Sequence, residues 1–507
     1  MDNFKSKYRP EIDGLRAFAV TFVIINHFNK NLLPSGYLGV DIFFIISGFV
    51  ITSSIIGRKN NNFKEFILGF YRRRIKRLFP ALIFFVLIMS IAICMVNPDP
   101  QLNLRTGFTS LFGLSNIYQI KQATNYFHEG TQLNVFTHTW SLGVEEQFYF
   151  IFPFLIWVTG LRRKTNLGFK NYFFTILSLS VISLILFVYF SFTNGSISYF
   201  SMPTRFWEIS AGSLLFLSVK KDNDSIDNSN ELISLCIFLA IVGTMFLPIK
   251  YSVLATILVV ILSSAFIYSL RKGSFIFNLL TNKKIVFIGL ISYSLYLWHW
   301  GVLSLSRWTV GINKWTIPVQ LTLIFALALI SYKYIETPLK VKIWSKKDST
   351  VILKGISLLI LSGLFIQVLD DKLSKKLYTG DKELLDIVAR GNRLNDPTTI
   401  YGKTFGGRDC YLTSNNDVNK LIDEKKCTIG NFERAKQRVL VIGNSMTASF
   451  LNAFEEVVKN MANTSILKKA DAIIAIDARG FILGSAISFF LSKPMIVARK
   501  PGKLPGD

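Results

Sequence analysis

Long, nearly uninterrupted apolar stretches recur along this chain of 507 residues, and they limit its fold more than any other feature. A run of about 17–25 mostly apolar residues can cross a bilayer as a helix, because a helix satisfies its backbone polar groups internally. Eleven such runs are predicted, near residues 14–29, 37–56, 78–97, 147–160, 173–193, 206–219, 232–248, 251–270, 285–305, 316–334 and 351–369. The fourth and sixth are short. GFTSLFGLSNIY (107–118) fits a re-entrant or interfacial piece. The pattern predicts an all-α polytopic membrane bundle of ten transmembrane helices plus an eleventh, followed by a small incomplete α/β region. Composition agrees: 50% of residues are hydrophobic and only 18% charged, an apolar balance for a soluble chain of this length.

Lys and Arg outnumber Asp and Glu by 57 to 32. The excess sits in short clusters between apolar runs, which fits the charge bias of membrane loops and not a nucleic-acid partner. Segment 57–77 carries eight basic residues, and RRKTNLGFK, KKDNDS, RKGSFIFNLLTNKK and KVKIWSKK follow in alternate loops. The N-terminus is therefore expected in the cytoplasm and everything after residue 370 outside it. No cleavage site follows the first apolar run, so no cleavable leader is predicted.

The chain has four histidines: His27, His128, His138 and His299. With that orientation all four fall on the outer side, which points to a site there. Cys94 and Cys236 lie in apolar spans and read as small buried hydrophobes. Cys410 and Cys427 lie in the polar region after residue 370 and are candidates for a loop-closing disulfide in an oxidising compartment. No metal site is predicted.

Ionisable groups inside a membrane are costly and are functional candidates. Arg16 and His27 frame RAFAVTFVIINH; on one helix they stand ~16 Å apart along the axis. An imidazole can serve as general base near neutral pH, although a packed histidine and a snorkelling arginine fit the spacing too. Asp41 opens the second span and reads as a helix-start charge or a site group. Arg74 and Arg77, three apart on one helical face, suit a phosphate-bearing ligand or a topogenic cluster. Arg205 and Glu208 share a helical face. Tyr293, Tyr296, Trp298 and His299 form an amphipathic belt. In HTWSLGVEEQFYFIFP (138–153), His138, Ser141, Glu145 and Glu146 precede an apolar run. A capped helix start accounts for Ser141 and one glutamate, but not for the full set.

RPEIDGLRAFAV…H, GYLGVDIFFIISGFVIT, RRRIKRLFPA, HTWSLGVEEQFYFIFP, RFWEISAG, IGLISYSLYLWHW and SYKYIETP occur in this order. Over about residues 8–340 the chain resembles the membrane acyltransferase-3 family, O-acetyltransferases of bacterial surface polysaccharides. The resemblance implies a multi-pass protein of the bacterial inner membrane. It would pass an acyl group, usually acetyl from acetyl-CoA or another acyl-CoA, to a hydroxyl of a surface glycan, with no bound cofactor. It implies that His27 is the essential histidine and Arg16 its motif arginine. Arg74 and Arg77 would contact the donor, and Glu145 or Glu146 would support the acceptor or the histidine.

Residues 341–370 read as a linker and the eleventh span, and 371–437 as an extracytoplasmic linker. RVLVIGNSMTAS (438–449) resembles the first block of an SGNH hydrolase-like domain, with Ser445 at the nucleophile position. Asn444 and Met446 replace its usual neighbours, and no histidine follows residue 299, so a Ser–His–Asp arrangement cannot form. The partial SGNH-like segment ends near 468. Residues 469–507 resemble an internal fragment of adenine phosphoribosyltransferase, without its ribose-phosphate loop. A transporter and, less favoured, phosphoribosyl transfer by the tail stand as rival functions.

Overall fold

A computed structural model of the protein describes residues 8–56, 62–123, 131–163, 165–219, 230–382, 385, 473–476 and 495–498. The chain divides into two units, residues 1–380 and 381–507. The first is a helical bundle. Its helices are α1 (Pro10–Phe28), α2 (Gly39–Ile56), α3 (Phe63–Val96), α4 (Gln101–Leu111), α5 (Ser115–Ala123) and α6 (Trp140–Val158). There follow α7 (Asn166–Thr193), α8 (Gly195–Phe200), α9 (Met202–Val219), α10 (Asn230–Thr244), α11 (Ser252–Ser269) and α12 (Phe275–Leu280). The last are α13 (Lys283–Leu290), α14 (Ser292–Trp308), α15 (Thr316–Ile330), α16 (Thr337–Val341), α17 (Asp348–Val368) and the short α18 (Ser374–Leu377).

A helix underlies each of the eleven apolar runs. Among the described residues, six helices are long and apolar enough by themselves to cross a membrane, and the pair α13–α14, bent by 64°, would make a seventh. The other four have a physical reason to fall short. α10 has only 15 residues. α1 carries Glu11, Asp13 and Arg16; α6 carries Glu145 and Glu146; α9 carries Arg205 and Glu208. Of these, α1 and α6 supply Arg16, Glu145 and Glu146 to the candidate site. Of the six, α2 is the most enclosed, with 72% of its apolar window buried, against 17% for α7 at the periphery. Peripheral apolar surface also corrects one expectation: Cys94 is buried, but Cys236 on α10 is exposed.

α2 and α9 touch backbone to backbone. A Cβ on Gly48 would lie 1.7 Å from the Ile209 carbonyl oxygen, and one on Gly212 would lie 1.9 Å from that of Ile45. Glycine at both positions lets two membrane helices pack at close range. This contact brings Asp41 of α2 within reach of α9.

α3 has 34 residues, about 51 Å at 1.5 Å per residue, against a hydrocarbon core of about 30 Å. Asn62 caps it by accepting from the Glu65 amide (2.8 Å). Its basic first turns therefore have length to extend beyond the apolar layer, and there Arg72 pairs with Asp348 of α17 (2.8 Å).

Segment 107–118 spans the end of α4, a turn and the start of α5. α4 and α5 meet at Gly113, which takes φ +66°, a conformation that favours glycine.

The second unit shows one parallel strand pair: β1 (Ile473–Ile476) and β2 (Met495–Ala498), with Ile473 opposite Met495 and Ile476 opposite Ala498. Ser445, Cys410 and Cys427 lie outside the described residues, as does His128.

Candidate active site

Three polar clusters sit within the bundle. The first lines an open-mouthed cleft with about 90 Å³ of enclosed space. Arg16 of α1, Ser47 of α2, Arg74 and Arg77 of α3, Glu145 of α6 and Tyr296 of α14 line it. Glu146 and Tyr293 also reach it.

Arg16 donates to Asp13 one turn back on α1 (3.0 Å). Arg74 and Arg77 form no ion pair among the described residues, and Nε of Arg74 is buried without a hydrogen-bond partner. The Arg74 guanidinium instead stands over Tyr149 (5.4 Å) and Phe70 (5.9 Å). Glu145 is held by two hydroxyls: Tyr149 donates to it (2.8 Å) one turn on, and Ser47 donates from α2 (3.0 Å). Arg74 and Arg77, without ion-pair partners among the described residues in a cleft they share with Glu145 and Glu146, can receive an anion.

The neighbouring residues of the 138–153 stretch have separate roles. A Cβ on Gly113 would come 2.6 Å from a Glu146 carboxylate oxygen, so Glu146 occupies the space this glycine leaves. Gln147 donates to the Gly113 carbonyl (2.9 Å) and the Asn116 side chain (2.8 Å), and so ties α6 to the α4–α5 turn. Ser141 does not cap α6. Its hydroxyl shares a hydrogen bond with the Tyr296 hydroxyl (2.8 Å) and reaches the His138 carbonyl (3.3 Å).

The second cluster is histidine. His27, in the last turn of α1, meets His299 of α14, with Nδ1 and Nε2 3.0 Å apart. His138, in the turn ahead of α6, places its ring 5.6 Å from that of His299. Neither of its ring nitrogens has a hydrogen-bond partner among the described residues. Burial holds the His138 imidazole well below its ordinary pKa, so the ring is neutral at pH 7. Tyr296 joins this cluster to the cleft: it lines the cleft, and its ring lies 5.3 Å from both His299 and His138. No hydrogen bond or ion pair among the described residues links His27 to Glu145 or Glu146. These glutamates belong to the cleft.

The third cluster is an ion triad. One guanidinium nitrogen of Arg205 donates to Asp41 (2.9 Å) and to Glu208 (2.6 Å). All three residues are buried. Asp41 is thus an ion-pair partner of Arg205 as well as a helix-start charge. The Arg205 guanidinium is also flanked by Tyr199 (5.0 Å), Phe187 (5.3 Å) and Trp140 (5.8 Å).

Sequence reasoning missed Ser47, Tyr149 and Glu336. Tyr149 had a signal, since it lies four residues after Glu145 and shares its helical face. Glu336 sits in a π-helical turn, Ser331–Glu336, that continues α15. It is buried and accepts from Ser294 of α14 (2.9 Å). Among the described residues, no group of His, Cys, Asp and Glu is arranged to hold a metal ion.

Fold and site define a multi-helix membrane protein whose arginine-lined cleft lies beside the His27–His299 pair. Residues 9–332 match the family described as "Acyltransferase domain", and the chain belongs to this acyltransferase-3 family. It is 32% identical over 411 residues to the O-acetyltransferase OatA of Staphylococcus aureus strain MRSA252, covering 75% of this chain and 66% of that protein. It is 33% identical over 357 residues to OatA of S. aureus strain NCTC 8325 / PS 47, covering 67% and 58% respectively. The chain therefore spans 58–66% of the length of these relatives. No solved structure matches it.

Proposed function

We propose that the protein is a multi-pass membrane O-acyltransferase. It moves an acyl group, in the first instance acetyl from acetyl-CoA, to a hydroxyl of a cell-surface polysaccharide. The observation that carries this reading is the pairing of Arg74 and Arg77, which make no ion pair among the described residues of the cleft, with a histidine cluster that shares Tyr296 with that cleft. The relatives' name, O-acetyltransferase, supports the same chemistry.

In this reading Arg74, Arg77 and Arg16 hold the donor's phosphates, and the thioester end extends past Tyr296 towards His27. His27 takes the proton of the acceptor hydroxyl. The oxygen attacks the thioester carbonyl carbon, a C–O bond forms and the C–S bond breaks. The departing thiolate then receives the proton from His27, so the base is regenerated. Glu145, held by Ser47 and Tyr149, keeps the cleft from becoming purely cationic and orients the donor.

The basic clusters support a cytoplasmic N-terminus and donor site, with eleven helices crossing the inner membrane and residues after 370 outside. This reading gives residues 438–507 no catalytic part.

Labelled acetyl-CoA offered to inside-out membrane vesicles tests the donor's side. Label moving to glycan only when the cytoplasmic face is accessible supports the reading. Uptake of the intact donor without glycan labelling would make the protein a transporter.

A further inference from the structure

His299 meets His27 edge to edge. The rings are parallel to within 2°, with centroids 5.2 Å apart and the facing nitrogens 3.0 Å apart. Centroids that far apart with nitrogens that close describe two rings in one plane, as an in-line hydrogen bond requires, and not a face-to-face stack. The other nitrogen of His299, Nδ1, lies 3.2 Å from the Leu295 carbonyl oxygen one turn back on α14.

Taken as hydrogen bonds, these contacts allow one consistent proton assignment. A carbonyl oxygen can only accept, so Nδ1 of His299 carries the hydrogen. In a neutral imidazole the second nitrogen is then an acceptor, so Nε2 of His299 offers its lone pair. The His27 nitrogen facing it, Nδ1, must therefore donate. The Nε2 of His27 is left with its lone pair unspent. The backbone supports the arrangement: Arg307, further along α14, donates to the His27 carbonyl (3.0 Å), and the Trp300 ring meets the His27 ring edge-on at 4.6 Å. His299 itself is fully buried, whereas His27 is half-buried.

We propose that His299 is a positioning residue that sets the tautomer of His27, with the Leu295 carbonyl as the fixed end of the relay, so that the proton-accepting nitrogen of His27 is Nε2. The inference rests on the reading of His27 as the base. A neutral imidazole here does the work that a carboxylate does behind the histidine of a hydrolase triad, without placing a second charge in the membrane. The step is a proton held at Nδ1 of His27 while Nε2 takes up and releases the substrate's proton; His299 neither gains nor loses one.

Two substitutions separate positioning from packing. In His299→Gln the amide oxygen can accept from His27 Nδ1 while the amide nitrogen donates to Leu295. In His299→Leu the space is filled but the acceptor is lost. The full-length protein, purified in detergent, is assayed for acetyl transfer. It is also labelled with 15N-histidine; with only four histidines in the chain, the His27 signal is assigned as the one lost in His27→Ala. The expected result is His27 protonated at Nδ1 in the wild type and in His299→Gln, and displaced from that tautomer in His299→Leu. The turnover rate should fall about 10- to 100-fold in His299→Leu, a part of the roughly 10²- to 10⁴-fold that general-base catalysis supplies, with the donor KM little changed, and His299→Gln should recover most of it. A wild-type His27 protonated at Nε2 overturns the inference, as does a folded His299→Leu at wild-type rate. If the wild type itself transfers no acetyl group, the function proposed above fails, and the tautomer spectrum still decides the positioning of His27.

Discussion

Arg205 of α9 donates to Asp41 of α2 across 2.9 Å, between residues 164 positions apart in the chain. The same nitrogen donates to Glu208 (2.6 Å), and Nε donates to the Tyr199 carbonyl (3.1 Å). One cation thus serves two buried carboxylates and a carbonyl of α8 at the contact where α2 and α9 pack through Gly48 and Gly212.

Removing that cation leaves two carboxylates buried against each other. Arg205→Leu should destabilise the bundle by about 3–5 kcal/mol, the cost of an uncompensated buried charge. Asp41→Asn, which leaves Arg205 its Glu208 partner, should cost less. Thermal unfolding of the detergent-solubilised variants ranks them; equal stability for both would show that the triad carries no structural burden.

The helix contact itself can be tested with a matched control. Gly48→Val and Gly212→Val place carbon within 2 Å of a backbone oxygen, so α2 and α9 must separate, and the amount of folded protein in the membrane should fall sharply. Gly243→Ala on α10, where no atom lies within 4 Å of the added carbon, should leave it unchanged. Size-exclusion profiles of the extracted proteins read both.

In the cleft, Arg74→Ala and Arg77→Ala should each raise the KM for acetyl-CoA about 10- to 100-fold, the value of a charge-assisted hydrogen bond. The effect should be smaller for a donor lacking the 3′-phosphate, if that group is what they contact. Saturation curves with the two donors check this, and unchanged KM values would remove the arginines from donor binding.

Tyr149→Phe deletes one of the two hydroxyls that hold Glu145. A single hydrogen bond of about 1 kcal/mol predicts a rate roughly fivefold lower, and Ser47→Ala should act alike. The double variant should be close to additive only if the two hydroxyls hold the carboxylate independently. Initial transfer rates of the four proteins decide.

Much of the bundle was legible in the sequence, because apolar runs of spanning length leave a chain few alternatives to helix. Local pairs were legible too: Arg205 and Glu208 are three apart and do bond. What the sequence hid is contact across helices. Asp41 with Arg205, His27 with His299 at a separation of 272 residues, and Ser47 with Glu145 all depend on how helices pack, which periodicity does not encode. The glutamates, read as supporting the acceptor or the histidine, line the cleft, where Ser47 of α2 donates to Glu145. Cys236 was expected inside and lies outside, since a helix facing lipid is as apolar as one facing a core. His299 appeared in the sequence as one member of an aromatic belt; only its edge-on approach to His27 distinguishes it.

The central claim is that His27 serves acyl transfer to a surface glycan. Mass spectrometry of cell-surface glycans from cells expressing the protein, or its His27→Ala variant at equal membrane level, tests it most directly. The account predicts an added acetyl mass that depends on His27. An acetyl mass that persists in His27→Ala would contradict it.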